Sequence, residues 1–257
     1  MELIDTHTHL FTTQFDEDRT TIVKEAIDAG VSSMLLPNID LESIDSMHEL
    51  EKQFPEHCHA MMGLHPCSVN ENWQEQLATI QKHLFSRPYV AVGEIGIDLY
   101  WDKSTVDFQK AAFEQQIQWA KELEIPIVIH VRDAFDEAFE VVDQLNDDQL
   151  SGVFHCFTGT IEQANHILNY GGFKLGIGGV LTFKNSGLDK VVEQLNLEDL
   201  ILETDSPYLA PHPKRGKRNE SSFITYVASK LAEVKGVGIE KVAEITSVNA
   251  RALFKLN

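Results

Sequence analysis

Short apolar runs recur along the whole chain and alternate with longer stretches in which apolar residues follow a helical period. The runs are rich in Val, Ile and Leu without polar alternation, which is the pattern of strands in a parallel sheet covered on both faces. They predict eight strands, at 2–5, 33–37, 59–63, 89–93, 127–130, 153–155, 173–176 and 200–203.

The stretches between the runs predict helices. The segment 104–123 is expected to form the longest helix, and Ser104 and Asp107 have the spacing of an N-terminal capping box at its start. Further helices are predicted at 134–145, 188–195, 223–231 and 242–253.

Alternating strands and helices close most simply as an α/β fold of the (β/α)8 TIM-barrel type. Such barrels routinely form one domain at about 250 residues, and this chain has 257. The loop at 211–216, which contains Pro and Gly, is not expected to be a domain boundary, because the residues after it are too few for an independent core. We therefore predict a single domain spanning 1–257.

Composition and the N-terminal sequence indicate the cellular location of the protein and the kinds of partner it can have. No apolar stretch approaches the roughly 20 residues needed to cross a bilayer, and the N-terminus lacks the basic and apolar regions of a secretory signal. We therefore expect a cytoplasmic protein without a membrane partner, and nothing in the chain implies an obligate protein partner. Three cysteines at unpatterned spacing fit reduced thiols better than a disulfide framework.

The formal net charge is −19, from 21 Lys+Arg and 40 Asp+Glu. Such a surface repels long polyanions unless a local basic patch counters the repulsion, so binding of an extended duplex is disfavoured. The main basic cluster follows the last predicted strand. Its members are Lys214, Arg215, Lys217 and Arg218.

Potential metal ligands lie just after predicted strands, and the C-terminal ends of barrel strands form the face on which barrel enzymes build their sites. His7 and His9 are two positions apart, so on an extended chain both side chains project to one side. Taken singly, such residues are as well explained as surface or core histidines or as a turn aspartate. Convergence of all of them at one face favours a metal site instead. The six are His7, His9, Glu94, His130, His155 and Asp205.

An ordered set of motifs carries a resemblance to a known family. DTHTHL, GLHP, GEIGID, HVRDA, FHCFTG and ETDSPYLAP, followed by RGKRNE, span Asp5 to Glu220. Together they resemble the TatD family of metal-dependent deoxyribonucleases, which belongs to the amidohydrolase-like barrels. The resemblance implies a (β/α)8 fold, a divalent-metal centre and hydrolysis of phosphodiester bonds in DNA, typically from a 3′ end.

The resemblance also implies a ligand assignment: one ion held by His7, His9 and Asp205, a second by His130 and His155, and Glu94 shared. Two cations about 4 Å apart can clamp the attacking and leaving oxygens of an in-line displacement. Imidazole ligands favour Zn, Mn or Co, whereas the resemblance suggests Mg, so the expected cofactor is a pair of Mg, Mn or Zn ions.

Three carboxylates are candidate catalytic residues. Glu94 is expected to bridge the ions, and Asp205 to position and deprotonate the attacking water. Glu203, two residues before Asp205, is either a proton-relay or supporting carboxylate, or a packing residue.

Substrate contacts are expected from His65, Arg132, Arg215 and Arg218. His65 follows the third predicted strand and is expected to contact a substrate phosphate or a bound water, unless Pro66 merely orders it as a loop residue. The arginines suit bidentate phosphate contacts, and a solvated charge run is the alternative. The aromatic residues Tyr100, Trp101, Phe157 and Tyr208 could stack an unpaired base, although packing at the rim is commoner. Asp98 matches a family aspartate without revealing its role.

The leading hypothesis is a hydrolase that removes nucleotides from single-stranded 3′ ends of DNA. A barrel mouth admits a chain terminus more readily than the middle of a duplex, which favours an exonuclease. The same site on the same fold could instead hydrolyse an ester, amide or aminoacyl bond. A non-enzymatic, metal-stabilised binding module ranks last, because structural ions have closed coordination shells.

Overall fold

The computed structural model of the chain describes residues 1–256. The strands are β1 (Leu3–Asp5), β2 (Val31–Pro37), β3 (Cys58–Met61), β4 (Val92–Asp98), β5 (Ile127–Arg132), β6 (Gly152–Phe154), β7 (Phe173–Ile177) and β8 (Leu200–Leu202). The helices are α1 (Arg19–Asp28), α2 (Ile44–Gln53), α3 (Trp73–Leu84), α4 (Val106–Leu123), α5 (Phe135–Leu145), α6 (Ile161–Asn169), α7 (Leu188–Glu193), α8 (Ile224–Lys235) and α9 (Ile239–Phe254).

All strand pairs are parallel, in the orders β1-β2-β3 and β4-β5-β6-β7-β8. Backbone hydrogen bonds join the two groups at both edges. On one side the Val90 N–H donates to the Ala60 carbonyl at 3.3 Å, and on the other the Thr6 N–H donates to the Leu202 carbonyl at 3.1 Å. The strands therefore close into a (β/α)8 barrel, and the predicted fold class is confirmed.

One end of the barrel is filled by apolar side chains and covered by α9. Ala250 and Phe254 of this helix pack against inward-facing strand residues such as Ile4 and Val128, and all four are buried. The Asn249 amide of α9 donates to the Leu197 and Leu200 carbonyls, each at 2.8 Å. The polar residues singled out in the sequence lie at the opposite end, where the strands terminate.

Helix α4 is the longest predicted helix and holds two strand ends in place. Gln109 accepts from the Asp98 N–H at 2.8 Å, and Gln116 accepts from the Leu64 N–H at 2.8 Å. The predicted capping box is wrong: the helix begins at Val106, and Ser104 bonds the Asp102 carboxylate instead. Within residues 1–256, no helix is both long and apolar enough to cross a membrane.

Two strand boundaries differ from the prediction in a way that affects the site. β4 covers Val92–Asp98 rather than 89–93, and β5 continues to Arg132. Glu94 therefore lies inside a strand rather than after it, and His130 lies within its strand rather than at the end. The sequence interpretation ended these two strands at or just before a polar residue. The structure continues them, because polar side chains inside the barrel mouth hydrogen-bond to one another.

Candidate metal centre

His7 and His9 leave β1 with their imidazoles on the same side, as alternation predicts. Their Nε2 atoms are 3.2 Å apart and both side chains are buried. Thr6, between β1 and His7, faces the other way and donates to the Leu202 carbonyl at 2.9 Å. The pair therefore presents two ring nitrogens to one point at the mouth of the barrel.

Glu94 lies between two groups of imidazoles and turns one carboxylate oxygen toward each. Its Oε2 is 3.2 Å from His7 Nε2 and 3.5 Å from His9 Nε2. Its Oε1 is 2.9 Å from His130 Nδ1 and 2.9 Å from His155 Nε2. A carboxylate in this position can serve both groups at once.

Asp205 completes the group around His7 and His9. It lies in the loop after β8, with its Oδ1 3.9 Å from His7 Nε2 and 3.7 Å from His9 Nε2. The Asp205 N–H donates to the His7 carbonyl at 2.9 Å, and its φ of 57° places the backbone in the left-handed region, which is unfavourable for most residues. The backbone conformation thus keeps this carboxylate beside the imidazoles.

His65 joins the second group, where the sequence predicted a contact to a substrate phosphate or to a bound water. Its Nε2 is 3.5 Å from Glu94 Oε1, and its ring centroid is 4.5 Å from that of His130. His65, Glu94 and His130 place ligand atoms close enough to share an ion. The strand-end rule that found the other histidines applies equally to His65, because it follows β3.

Carboxylates support two of the imidazoles from behind. Asp98 Oδ2 is 2.9 Å from His130 Nε2, and Glu203 Oε1 is 3.4 Å from His155 Nδ1. Glu203 is fully buried and also accepts the backbone N–H of Cys156 at 2.5 Å. Metal-binding histidines commonly have such a partner, which fixes the ring orientation and the tautomer. For Asp98 the sequence signal was its match to a family aspartate in GEIGID, which did not reveal this role.

The electrostatics favour the cation-binding forms at Glu94, His7 and His9 and oppose them at the remaining ligands. Burial alone would raise the pKa of Glu94, but the surrounding histidines hold that pKa well below its ordinary value. Burial lowers the pKa of His7 well below 6.5 and that of His9 to about 4. Despite burial, neighbouring carboxylates raise the pKa of both histidines that lie 2.9 Å from Glu94 Oε1, and burial raises the pKa of Asp205 to about 7. Ionised carboxylate and neutral imidazole are the forms required of ligands.

The donor set fits a divalent metal ion. Bonds of about 2.0–2.2 Å in a tetrahedral arrangement place ligand atoms roughly 3.3–3.6 Å apart. The Glu94 oxygens lie close to that spacing from His7, His9 and His65, at 3.2–3.5 Å, whereas the other two separations, of 2.9 Å, are hydrogen-bond distances. Imidazole nitrogens outnumber carboxylate oxygens in this set, as is usual at transition-metal sites rather than at sites for ions that take oxygen ligands alone.

Asp5 ties together the two loops that carry the first group. Its Oδ1 accepts from the Thr204 N–H at 2.9 Å and from the His7 N–H at 3.4 Å, and its Oδ2 accepts from the Thr204 hydroxyl at 2.7 Å. The side chain is fully buried, and burial raises its pKa to about 7. Asp5 therefore connects the β1 loop to the β8 loop beneath the ligands.

Replacing Asp5 with Ala is expected to destabilise the fold. The two Thr204 donors would lose their buried acceptor, at about 1–3 kcal/mol each in the free energy of unfolding. Urea denaturation checks this, with the exposed Asp148→Ala as a matched control. Equal stability of the two variants would contradict the bracing role.

The predicted substrate arginines do not share one location. Arg132 lines the cavity beside His130. Arg215 stacks on the Phe183 ring at 3.8 Å, outside the cavity lining. Arg218 binds both carboxylate oxygens of Asp18, at 2.9 and 2.6 Å. The structure thus brings Arg132 to the ligands but leaves Arg215 and Arg218 away from them.

The ligand cluster opens into a cavity of about 790 Å³. Trp101 and Tyr208 line its mouth and are 72% and 48% exposed, whereas Phe157 is buried and packs against Phe135. This volume lies within the roughly 300–1,000 Å³ usual for small-molecule sites. The cavity can therefore hold a terminal unit of a substrate in contact with the cluster.

Comparison with known proteins agrees with this geometry. The chain is 38% identical over 256 residues to the uncharacterized metal-dependent hydrolase YabD of Bacillus subtilis, covering 99% of this chain and 100% of that protein. It is 33% identical over 256 residues to the 3′-5′ ssDNA/RNA exonuclease TatD of a Rahnella species, covering 97% of each. The crystal structure of the TatD homologue YJJV of Escherichia coli superimposes with a TM-score of 0.89 at 27% identity, over 99% of this chain and 98% of that one.

The family model for TatD related DNase matches residues 4–255. That range contains all six sequence-predicted ligands and nearly the whole barrel. The predicted resemblance and the prediction of a metal-dependent enzyme are both confirmed, and the chain belongs to the TatD family of metal-dependent hydrolases.

Proposed function

We propose that the protein is a two-metal exonuclease that removes nucleotides from 3′ ends of single-stranded DNA. The observation that carries the proposal is Glu94, whose Oε2 lies near His7 and His9 and whose Oε1 lies near His130 and His155, as a carboxylate bridging two ions requires. The relatives named as 3′-5′ ssDNA/RNA exonucleases favour a nucleic-acid substrate over an ester or amide.

The proposed ligand sets are those that the family resemblance implies, and the distances around Glu94 support them. His7, His9 and Asp205 would hold one ion and His130 and His155 the other, with Glu94 between them and His65 near enough to the second set to join it. Bound divalent ions would supply positive charge for the developing phosphorane and a water of lowered pKa.

The chain's own groups act around that chemistry. Asp205 would accept the proton of the attacking water, whose oxygen forms the new bond to phosphorus. The bond to the leaving sugar oxygen breaks at the same time, and that oxygen takes up a proton from solvent water. Asp98 and Glu203 hold the His130 and His155 rings. Arg132 would bind the scissile or neighbouring phosphate, since its guanidinium can contact two phosphate oxygens.

The test is one assay with several substrates. Protein reconstituted with Mg, Mn or Zn is offered 3′-labelled and 5′-labelled single-stranded DNA, the corresponding RNA and duplex, and an aminoacyl ester. We expect immediate release of the 3′ label and a stepwise ladder from the 5′-labelled strand. Cleavage of the ester alone would overturn the proposal and favour the other hydrolase hypothesis.

Neutralising the phosphate-binding arginine is expected to weaken substrate binding. Arg132→Gln should raise KM for oligonucleotides and reduce the slope of log KM against log salt by about 0.7, the value for one phosphate contact on a single strand.

Arg87→Gln is the control for loss of an arginine away from the cavity. Arg87 lies over the Tyr89 ring at 4.5 Å, pairs with Glu51 and precedes β4 at the opposite end of the barrel. An unchanged salt slope in Arg132→Gln would remove this residue from phosphate binding.

A further inference from the structure

Two exposed aromatic residues follow β4, the strand that carries Glu94. Tyr100 is 52% exposed and Trp101 is 72% exposed. Their rings meet edge to face, with centroids 4.8 Å apart at 90°. Because Trp101 keeps most of its surface accessible while Tyr100 supports it from the side, the indole can accept a flat partner.

Arg132 completes this surface. Its guanidinium carbon lies 3.6 Å from the centroid of the Tyr100 ring and 5.6 Å from that of Trp101. Unlike Arg218, which is paired with Asp18, Arg132 forms no ion pair with any residue in 1–256. The cation is thus held in place by an aromatic face while its charge stays available to a ligand.

The position of this surface relates it to the ligand cluster. Trp101 and Arg132 line the same cavity as Glu94 and His130. A ligand with its phosphate at the cluster can therefore extend a flat group along the indole. A base adjoining a phosphate has this combination of an anion and an aromatic face.

We propose that Trp101, supported by Tyr100 and Arg132, is a stacking site for an unpaired nucleobase near the reacting end of the substrate. The site rests on the proposed exonuclease function and adds a means of choosing single strands. In a duplex both faces of an internal base are already stacked, whereas a base at a single-stranded end can lie on an aromatic side chain. On a chain of net charge −19, stacking also supplies affinity that overall electrostatic attraction does not.

The test crosses a protein change with a substrate change. Trp101→Ala should lower kcat/KM for intact single-stranded oligonucleotides about 5- to 150-fold, the range for one stacked base. Trp101→Phe, which keeps a ring, should recover most of that loss. A second set of substrates carries one abasic site at successive positions from the 3′ end. At one of these positions the missing base should lower kcat/KM of the wild type by a similar factor and should not lower kcat/KM of Trp101→Ala any further.

Two outcomes overturn the stacking site. One is a Trp101→Ala variant as active as the wild type, and the other is an abasic penalty that is the same in variant and wild type at every position. Phe85→Ala is the control for loss of an exposed aromatic, because Phe85 is 40% exposed at the end of α3 and lies outside the cavity lining.

A binding measurement separates this inference from the proposed function. Tryptophan fluorescence is followed while a phosphorothioate-linked oligothymidylate is added to the metal-loaded protein. Quenching should persist in Trp73→Phe, whose residue lies on α3, and disappear in Trp101→Phe. If the wild type cleaves no nucleic acid, the proposed function fails, and quenching that is absent or independent of Trp101 rejects the stacking site on its own.

Discussion

Glu94→Gln is expected to lose at least about 100-fold in turnover, since removal of even an outer partner of a metal ligand costs 10–100-fold. The amide keeps the shape of the side chain, but it offers one oxygen, and its NH2 group would face a cation. With both oxygens of Glu94 turned toward imidazole groups, one group must lose its carboxylate. Metal analysis should therefore show fewer bound ions per chain, alongside the loss of hydrolysis.

Glu140→Gln is the matched control for this substitution. Glu140 is 58% exposed and pairs with Lys110 on the surface, so its neutralisation should change neither metal content nor rate. Circular dichroism should give the same spectrum for both variants. A Glu94→Gln protein with wild-type turnover would remove the carboxylate from the mechanism.

Exhaustive chelation is expected to abolish hydrolysis and lower the thermal midpoint. A ligand at a hundredfold excess over its Kd stabilises the folded state by about 2.7 kcal/mol, which corresponds to roughly 5–10 °C in Tm for a chain of this size. The gain arises because the ligand atoms converge only in the folded barrel. Calorimetry before and after return of the metal measures this shift.

The same calorimetric measurement on Glu94→Gln is the control, because a site that lacks a ligand should show a smaller rise in Tm when the metal is returned. Protein that remains fully active after chelation, with metal analysis confirming removal, would reject metal-dependent catalysis. Return of activity with one ion and not with others would identify the working metal.

The barrel and the convergence of its six candidate ligands could be predicted from sequence for one physical reason. Parallel strands bring their C-terminal ends to one rim regardless of sequence separation. His7 and Asp205 are far apart in the chain, yet their side chains meet within 3.9 Å. The position of a residue at a strand end, which is read from local sequence, therefore predicts which distant residues it will meet in the barrel.

Features that depend on side-chain direction could not be predicted in the same way. His65 obeyed the strand-end rule, but nothing local indicated that its ring points toward Glu94 rather than toward the substrate. Side-chain alternation along the strand allowed Glu203 to point either into the site or into the packing around the barrel. In the structure it points toward His155. Arg218 was interpreted from its basic neighbours, whereas its partner Asp18 lies 200 positions away in the chain.

Helix α9 covers one end of the barrel, so substrate enters and product leaves through the other end, where the strands terminate. For the proposed exonuclease, each released nucleotide has to leave past the strand from which it was cut. Accumulated mononucleotide then competes with incoming ends for the same passage, so inhibition by product is built into the architecture.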